Sequence, residues 1–421
     1  MTNVKYYSGG GANSIGNSFS LLVFDNEYFL GMDWGGGYNS IYDEPKYVGP
    51  LDCLFISHAH MDHCIQVPRL KKRNPQTRIF ATLPTADLCL VGWKQTLHLA
   101  SEHCIRAPFS EEDAVKTRQS IEYVEFDQEV KLTEDLSVFP LSSGHILGSI
   151  CLLVVYKKET FFMTSDICFQ DRHLIKGATK LALDKSRLLV RECTYVNKPF
   201  EDRKKVISEF TKTAKEVMKK GGRVLVPALS IDRTQDIYAV AAEAGIFPIY
   251  IDGSRDTTDV YTNHLGPEAD SLRNAKRFEG KEERKKFLNS KKPAMIIASS
   301  GMIHNNTASS FWARNLLPNP NDAVFLVNYM DPDSQGAKLS KTEPGKFLVL
   351  NGGITKRACL VQKFNFSAHM SGDDGRELEE RLNPETVIYN HGQDSEIEKF
   401  IENAPKDRRR IKAEVGKFVE V

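Results

Sequence analysis

Short runs of apolar residues recur along the chain, and most are followed at once by a polar group capable of chemistry. Leu51-Asp52-Cys53-Leu54-Phe55-Ile56-Ser57 leads into His58-Ala59-His60-Met61-Asp62-His63, and Ser137-Val138-Phe139-Pro140-Leu141 leads into Ser142-Ser143-Gly144-His145. Phe161-Phe162-Met163 precedes Thr164-Ser165-Asp166, Leu188-Leu189-Val190-Arg191 ends at Glu192, and Thr386-Val387-Ile388-Tyr389 ends at Asn390-His391. Runs this short and this apolar predict buried strands. A reactive group at the carboxyl end of a strand is held by the sheet while its loop leaves it open to substrate.

Helical spacing appears at residues 202 to 220, with Val206, Phe210, Ala214, Val217 and Met218 on one face, and again at 233 to 244 and 374 to 382. Gly221-Gly222 and Gly245 supply the stops. Strands at Val224-Leu225-Val226, Pro248-Ile249-Tyr250-Ile251, Met295-Ile296-Ile297-Ala298 and Val324-Phe325-Leu326-Val327 alternate with these helices, which predicts a separate α/β domain in the middle of the chain. His391 repeats the strand-then-ligand design of the first 195 residues. The middle region therefore reads as an insertion that splits one domain in two.

Length changes this picture little: 421 residues suit two or three domains with a substantial core. Lys+Arg 56 against Asp+Glu 55 leaves +1, so any nucleic-acid site must be a local patch. The basic clusters Arg69, Lys71, Lys72, Arg73, Arg78 and Lys406, Arg408, Arg409, Arg410, Lys412 are candidates, as solvated faces or as phosphate contacts. No basic segment followed by an apolar core opens the chain and no long apolar stretch occurs, so a cytoplasmic protein without membrane contact is expected. Eight dispersed cysteines without a C-x-x-C pair predict buried reduced thiols.

His58-x-His60-x-Asp62-His63 is the strongest chemical signal. In an extended loop the side chains at 58 and 60 point the same way and can meet one ion. Asp62 and His63, where the chain turns into a helix, can face a second. Nitrogen-rich ligation with carboxylates suits zinc, and two ions about 3.5–4 Å apart can clamp a phosphoryl group and lower the pKa of a shared water. His145, next to a glycine at a strand end, and Asp166, placed to bridge two ions, are further candidates, though taken alone each could equally be structural. His98, His103, His173, His264 and His304 read as ordinary core or surface residues.

Together these segments resemble a known family. HAHMDH, SSGHILGS, TSD, strand-terminal Glu192, FSAHMSG around His369 and YNHG around His391 are similar, in order, to the motifs of the metallo-β-lactamase superfamily. More narrowly they resemble those of the β-CASP nucleases, the group that includes the cleavage-and-polyadenylation endonuclease and RNase J. The resemblance runs from Asp33 to His391. It implies an α/β fold: an αββα metallo-β-lactamase sandwich made of residues 1 to 195 and 363 to 421, with an α/β β-CASP domain inserted at 196 to 362.

By position the resemblance implies two Zn2+ per chain, one on His58, His60 and His145, the other on Asp62, His63 and His391, with Asp166 between them. It implies that Asp33 is an outer carboxylate orienting a ligand histidine, and that Glu192, His369 and His391 match motifs A, B and C. Asp62, Glu192 and His369 are thereby the expected catalytic residues. In the insert, Val226 to Asp236 looks like the family's Arg-x-Gln-acid segment, and Ala298 to Met302 looks like its Ser-Gly-Met turn. Both are also plausible as plain strand-to-helix turns, and Ser300, Gly301 and Arg233 are the expected phosphate or RNA contacts. Asn328 to Gly336 departs from the family pattern, where a shorter glycine-rich run is usual.

His60 stands where the di-iron branch of the superfamily carries Glu, which favours zinc, and a histidine at 391 separates the chain from DNA-repair relatives and points to RNA. The expected function is hydrolysis of phosphodiester bonds in single-stranded RNA, endonucleolytic and with 5′→3′ trimming as a second mode, in RNA processing or decay. His369 is the candidate donor to the departing 3′ oxygen or to the phosphate, oriented by Glu192. The expected partner is single-stranded RNA, with a homodimer as one option for assembly. A DNA nuclease, a thioester or lactam metallohydrolase and a non-catalytic RNA-processing subunit are the alternatives.

Overall fold

The structure is a computed structural model, and it describes residues 2–12, 16–37, 42–102, 104–179 and 185–421. The chain forms two compact units: Met1–Asp171, Ile175–Pro199 and Ala368–Val421 make the first, Arg172–Leu174 and Phe200–Ser367 the second. The first is an αββα sandwich built from two seven-stranded sheets.

Side-chain alternation explains the layers. Phe161 and Met163 point into the core between the sheets with Phe55, Phe80, Leu188, Val190 and Ile388. Phe162 and Leu189, one residue out of phase, point the other way, onto Leu378 and Leu382 of helix Gly372–Leu382 and Ile397 and Phe400 of helix Asp394–Asn403. Strands buried on both faces read as continuous apolar runs, as these do. The carboxyl-terminal stretch completes both sheets: Thr386–Asn390 pairs in parallel with Leu188–Glu192, and Phe418–Glu420 pairs with Lys5–Tyr7.

Parallel pairing gathers strand ends on one edge. In one sheet Met163 lies beside Val190 and Val190 beside Ile388, so the residues that follow leave the sheet together. In the other, Tyr28–Met32 and Cys53–Phe55 run parallel and deliver Asp33 and the histidine loop.

The second unit holds a six-stranded parallel sheet in the order Lys276–Arg277, Ile249–Asp252, Met295–Ala298, Val224–Pro227, Ala323–Leu326, Leu360–Lys363. A separate hairpin pairs Phe347–Leu350 with Gly353–Lys356. Helices Arg203–Lys219 and Arg233–Glu243 fall where the spacing predicts them. The twenty-residue helix Leu83–Glu102 in the first unit is absent from the pattern reading, because its apolar residues spread around the cylinder rather than forming a stripe.

No helix among the described residues is long and apolar enough to cross a membrane. The cysteines are free thiols, all buried except Cys104.

Candidate metal centre

The histidine loop leaves its strand at Ser57 and turns into the short helix Met61–Cys64, so four polar residues change direction within one turn of chain. His58 Nε2 and His145 Nε2 each stand 3.1 Å from His60 Nδ1. Asp166 Oδ2 lies 3.6 Å from His58, 3.5 Å from His145 and 3.5 Å from His63 Nε2. His63 Nε2 and His391 Nε2 approach Asp62 Oδ2 at 3.5 and 3.4 Å, and His391 Nδ1 is 3.3 Å from Asp166 Oδ1. The atoms fall into the sets His58, His60, His145, Asp166 and Asp62, His63, His391, with Asp166, Glu192 and His369 as a third, each within 4.8 Å. All seven expected ligands are brought together; all but the half-buried His60 are buried.

The backs of these rings decide which nitrogens carry protons. His63 Nδ1 donates to Asp33 Oδ2 at 2.7 Å and His145 Nδ1 donates to the Ala368 carbonyl at 2.7 Å. Ser57 Oγ donates to Asp33 at 2.8 Å and so accepts from His58 Nδ1 at 2.9 Å. Tied in this way, His58 and His145 turn Nε2 toward His60, and His63 presents its Nε2 to Asp62 and Asp166. Lone pairs that face one another repel unless a cation sits among them. Asp166 Oδ1 is buried and accepts no hydrogen bond among the described residues. The donor set therefore fits two divalent ions with nitrogen and carboxylate ligands.

Ionisation follows the same division. Burial and the neighbouring His63, His145 and His60 push His58 well below the usual imidazole range. Burial opposes a proton on His63, but Asp166, Asp62 and Asp33 outweigh it and pull the group well above that range. Asp62, opposed by burial, is held well below the carboxylate range by His63 and His391.

Asp33 has φ 68° and His391 φ 53°, left-handed values that cost a non-glycine residue and persist where the surroundings impose them. Gly144 sets the direction of His145: its φ is 66°, and a Cβ there would lie 2.5 Å from both the Ala178 amide nitrogen and the Cys168 carbonyl oxygen.

Glu192 and His369 form a second layer beside the ligands. His369 Nδ1 is 3.0 Å from Glu192 Oε1 and 4.0 Å from Asp166 Oδ2, and the other Glu192 oxygen accepts from Thr194 N at 3.1 Å. Burial raises Glu192, but His369 outweighs it and holds the carboxyl at about 2. Burial lowers His369, while Glu192 and Asp166 lift it to about 8.

The remaining candidates belong to the second unit. In the second unit Ser300 Oγ accepts from the His304 amide at 3.1 Å, and Gly301 is packed so closely that a Cβ would sit 2.9 Å from the Leu229 amide nitrogen. Arg233 is buried with its guanidinium 3.4 Å from Asp236, which also takes Arg203 at 2.6 Å, so its charge is committed inside the unit. Asn328, the first residue of the segment that departs from the family pattern, donates to the Pro227 carbonyl at 2.7 Å and ties two strand-end loops.

Most members of the basic clusters are paired internally. Arg73 and Arg69 meet Glu44, Lys72 meets Asp113 and Arg78 meets Glu122. Arg408 and Arg410 meet Asp407, and Lys412 meets Glu398. His98 pairs with Glu102 and His173 with Glu243, while His103 lies outside the described residues. Ser57, Thr194 and the Ala368 carbonyl are the contributors the sequence reading missed; only Ser57, directly before His58, had a local signal.

Residues 236–339 match the family described as Beta-Casp domain. The chain is 30% identical over 400 residues to the probable RNase MJ4 of Methanocaldococcus jannaschii, spanning 91% of this chain and 92% of that protein. It is 28% identical over 397 residues to RNase aCSPSF2 of Saccharolobus solfataricus, spanning 91% and 78%. A crystal structure of a protein of unknown function from Enterococcus faecalis V583 superposes over the full length of both chains with a TM-score of 0.62 at 13% identity, a likeness of fold. With a full-length relative at this identity and the insert matched in its own right, the chain belongs to the β-CASP ribonuclease family of the metallo-β-lactamase fold.

Proposed function

We propose that this chain, a nuclease of the hydrolase class by family, cuts phosphodiester bonds of single-stranded RNA with two zinc ions, endonucleolytically and with 5′→3′ trimming as a second mode. The observation that carries this reading is the convergence of seven ligand atoms in two adjoining sets, with the histidine protons drawn outward by Asp33, Ser57 and the Ala368 carbonyl. His58, His60 and His145 would hold one ion, Asp62, His63 and His391 the other, and Asp166 would reach both.

Bound there, the pair supplies a nucleophilic water at neutral pH and neutralises charge that builds on the phosphate. The chain's own groups do the rest. Asp33 fixes the ring of His63 and raises its basicity as a ligand. His369, half-buried beside Asp166, would carry the proton that the leaving 3′ oxygen needs, and Glu192 holds the ring in place. Residues 196 to 362 are taken as the inserted domain, with Ser300 and Gly301 as the phosphate contacts it offers and Arg233 as a brace for its own helix. The buried thiols accord with a reducing cytoplasm.

Purified protein incubated with end-labelled RNA and matched DNA tests the proposal, beside the Asp62→Ala/His63→Ala variant. Wild type is expected to cut RNA in preference to DNA and the double variant to fall to background with reduced zinc content. Intact RNA with both proteins would overturn it.

A further inference from the structure

A half-buried tyrosine stands beside the outer edge of the centre, and none of the roles assigned above uses it. Tyr195 follows Glu192 by three residues, and its ring lies 5.9 Å from that of His369 at 66°. The exposed Lys198 places its ammonium 5.7 Å from the centroid of the same ring. His369 in turn lies 4.7 Å from the His145 ring, so a chain of contacts leads from a ligand through His369 and Tyr195 to a surface cation.

The turn carrying the pair is held firmly. The Lys198 amide donates to the Tyr195 carbonyl at 2.9 Å, and the Gly372 amide donates to the Lys198 carbonyl at 3.0 Å. Asn197 Nδ2 donates to the Glu396 carbonyl at 2.8 Å, and Val196 is buried among Met370 and its neighbours. A Cβ on Gly372 would sit 2.5 Å from the Val196 carbonyl oxygen, so only glycine lets the start of the helix come this close. An aromatic ring presented on a fixed turn costs little entropy when a base settles on it.

The geometry points to Tyr195 and Lys198 as the seat of the nucleotide next to the bond that is cut: the phenol ring stacks its base and the ammonium holds its phosphate. This rests on the ribonuclease reading above. Stacking on tyrosine is tolerant of sequence because every base has a π face, and a lysine ammonium grips phosphate as a point charge. The ordinary net charge of the chain and the internal pairing of most of its two basic clusters give a cation beside the centre more weight. The preferred substrate is then an unpaired strand, since a paired base must first be unstacked and unpaired, at a free-energy cost, to lie on the ring.

Tyr195→Ala is expected to raise KM for a labelled single-stranded RNA about tenfold with kcat within about twofold, and Tyr195→Phe to restore wild-type KM. Lys198→Ala is expected to flatten the salt dependence of binding by about 0.7 in log–log slope, one phosphate of a single strand. Replacing one nucleotide at a time by an abasic unit should expose a single position whose loss raises KM in wild type and not in Tyr195→Ala. A fall in kcat at unchanged KM would mean that Tyr195 only braces His369, and the inference would be lost. The same variants placed in the Asp62→Ala/His63→Ala background, with RNA binding read by fluorescence anisotropy, separate the two readings. Tenfold weaker binding there supports the nucleotide seat even if wild type cuts nothing, and unchanged binding overturns it even if wild type is an active nuclease.

Discussion

Two buried polar clusters, one in each unit, look alike in composition terms and differ in physics. In the second unit Arg172 meets Asp232 at 2.5 Å and Arg203 and Arg233 meet Asp236, with Tyr261 donating to Asp232 at 3.2 Å. Three guanidinium groups share two carboxylates, so ion pairs hold the cluster together. In the first unit His58, His60, His145 and Asp166 face each other with like lone pairs, and what donates protons does so from behind. Such an arrangement accommodates cations inside it. A buried cluster that supplies its own counter-charge acts as structure; one whose acceptors converge acts as a site.

Substitutions sharpen this contrast. His369→Ala removes a proton donor but no ligand, and is expected to lower turnover by about 10²–10⁴-fold while two zinc equivalents remain bound. Single-turnover kinetics with metal analysis reads both, and parallel loss of zinc would make His369 a ligand and redraw the boundary of the site. Asp236→Ala leaves Arg203 and Arg233 buried without their counter-charge, and should cost about 3–5 kcal/mol of stability in urea titration at unchanged zinc content. A stable Asp236→Ala protein would mean that the second cluster is held by something other than its ion pairs. The smallest effect is expected from Asp33→Asn, which keeps the shape but weakens the hold on His63. Zinc affinity should fall by about 10- to 100-fold, as measured by competition with a chelator, without loss of fold.

The local part of the centre was legible in the residues because His58, His60, Asp62 and His63 occupy one turn of chain, where spacing alone limits what they can do. His145, Asp166 and His391 were individually ambiguous. They became legible through the order of motifs around them, since no local rule says that segments 85 and 331 residues from His60 end at the same sheet edge. The strands that carry them were readable for a plain reason: burial on both faces demands unbroken apolar runs. Helix Leu83–Glu102 was missed because burial spread around its circumference leaves no stripe to detect.

The sequence by itself determined the ligand types, the strands that present them and the presence of an inserted α/β domain, all consequences of side-chain chemistry and periodicity along a line. Tertiary structure alone decided where charge is neutralised. Arg408 and Arg410 read as a basic patch until Asp407 and Glu379 come within reach. It also decided that the proton of His145 points to a carbonyl 223 positions away. Electrostatic and hydrogen-bond partners are chosen by distance through space, which the order of residues does not contain.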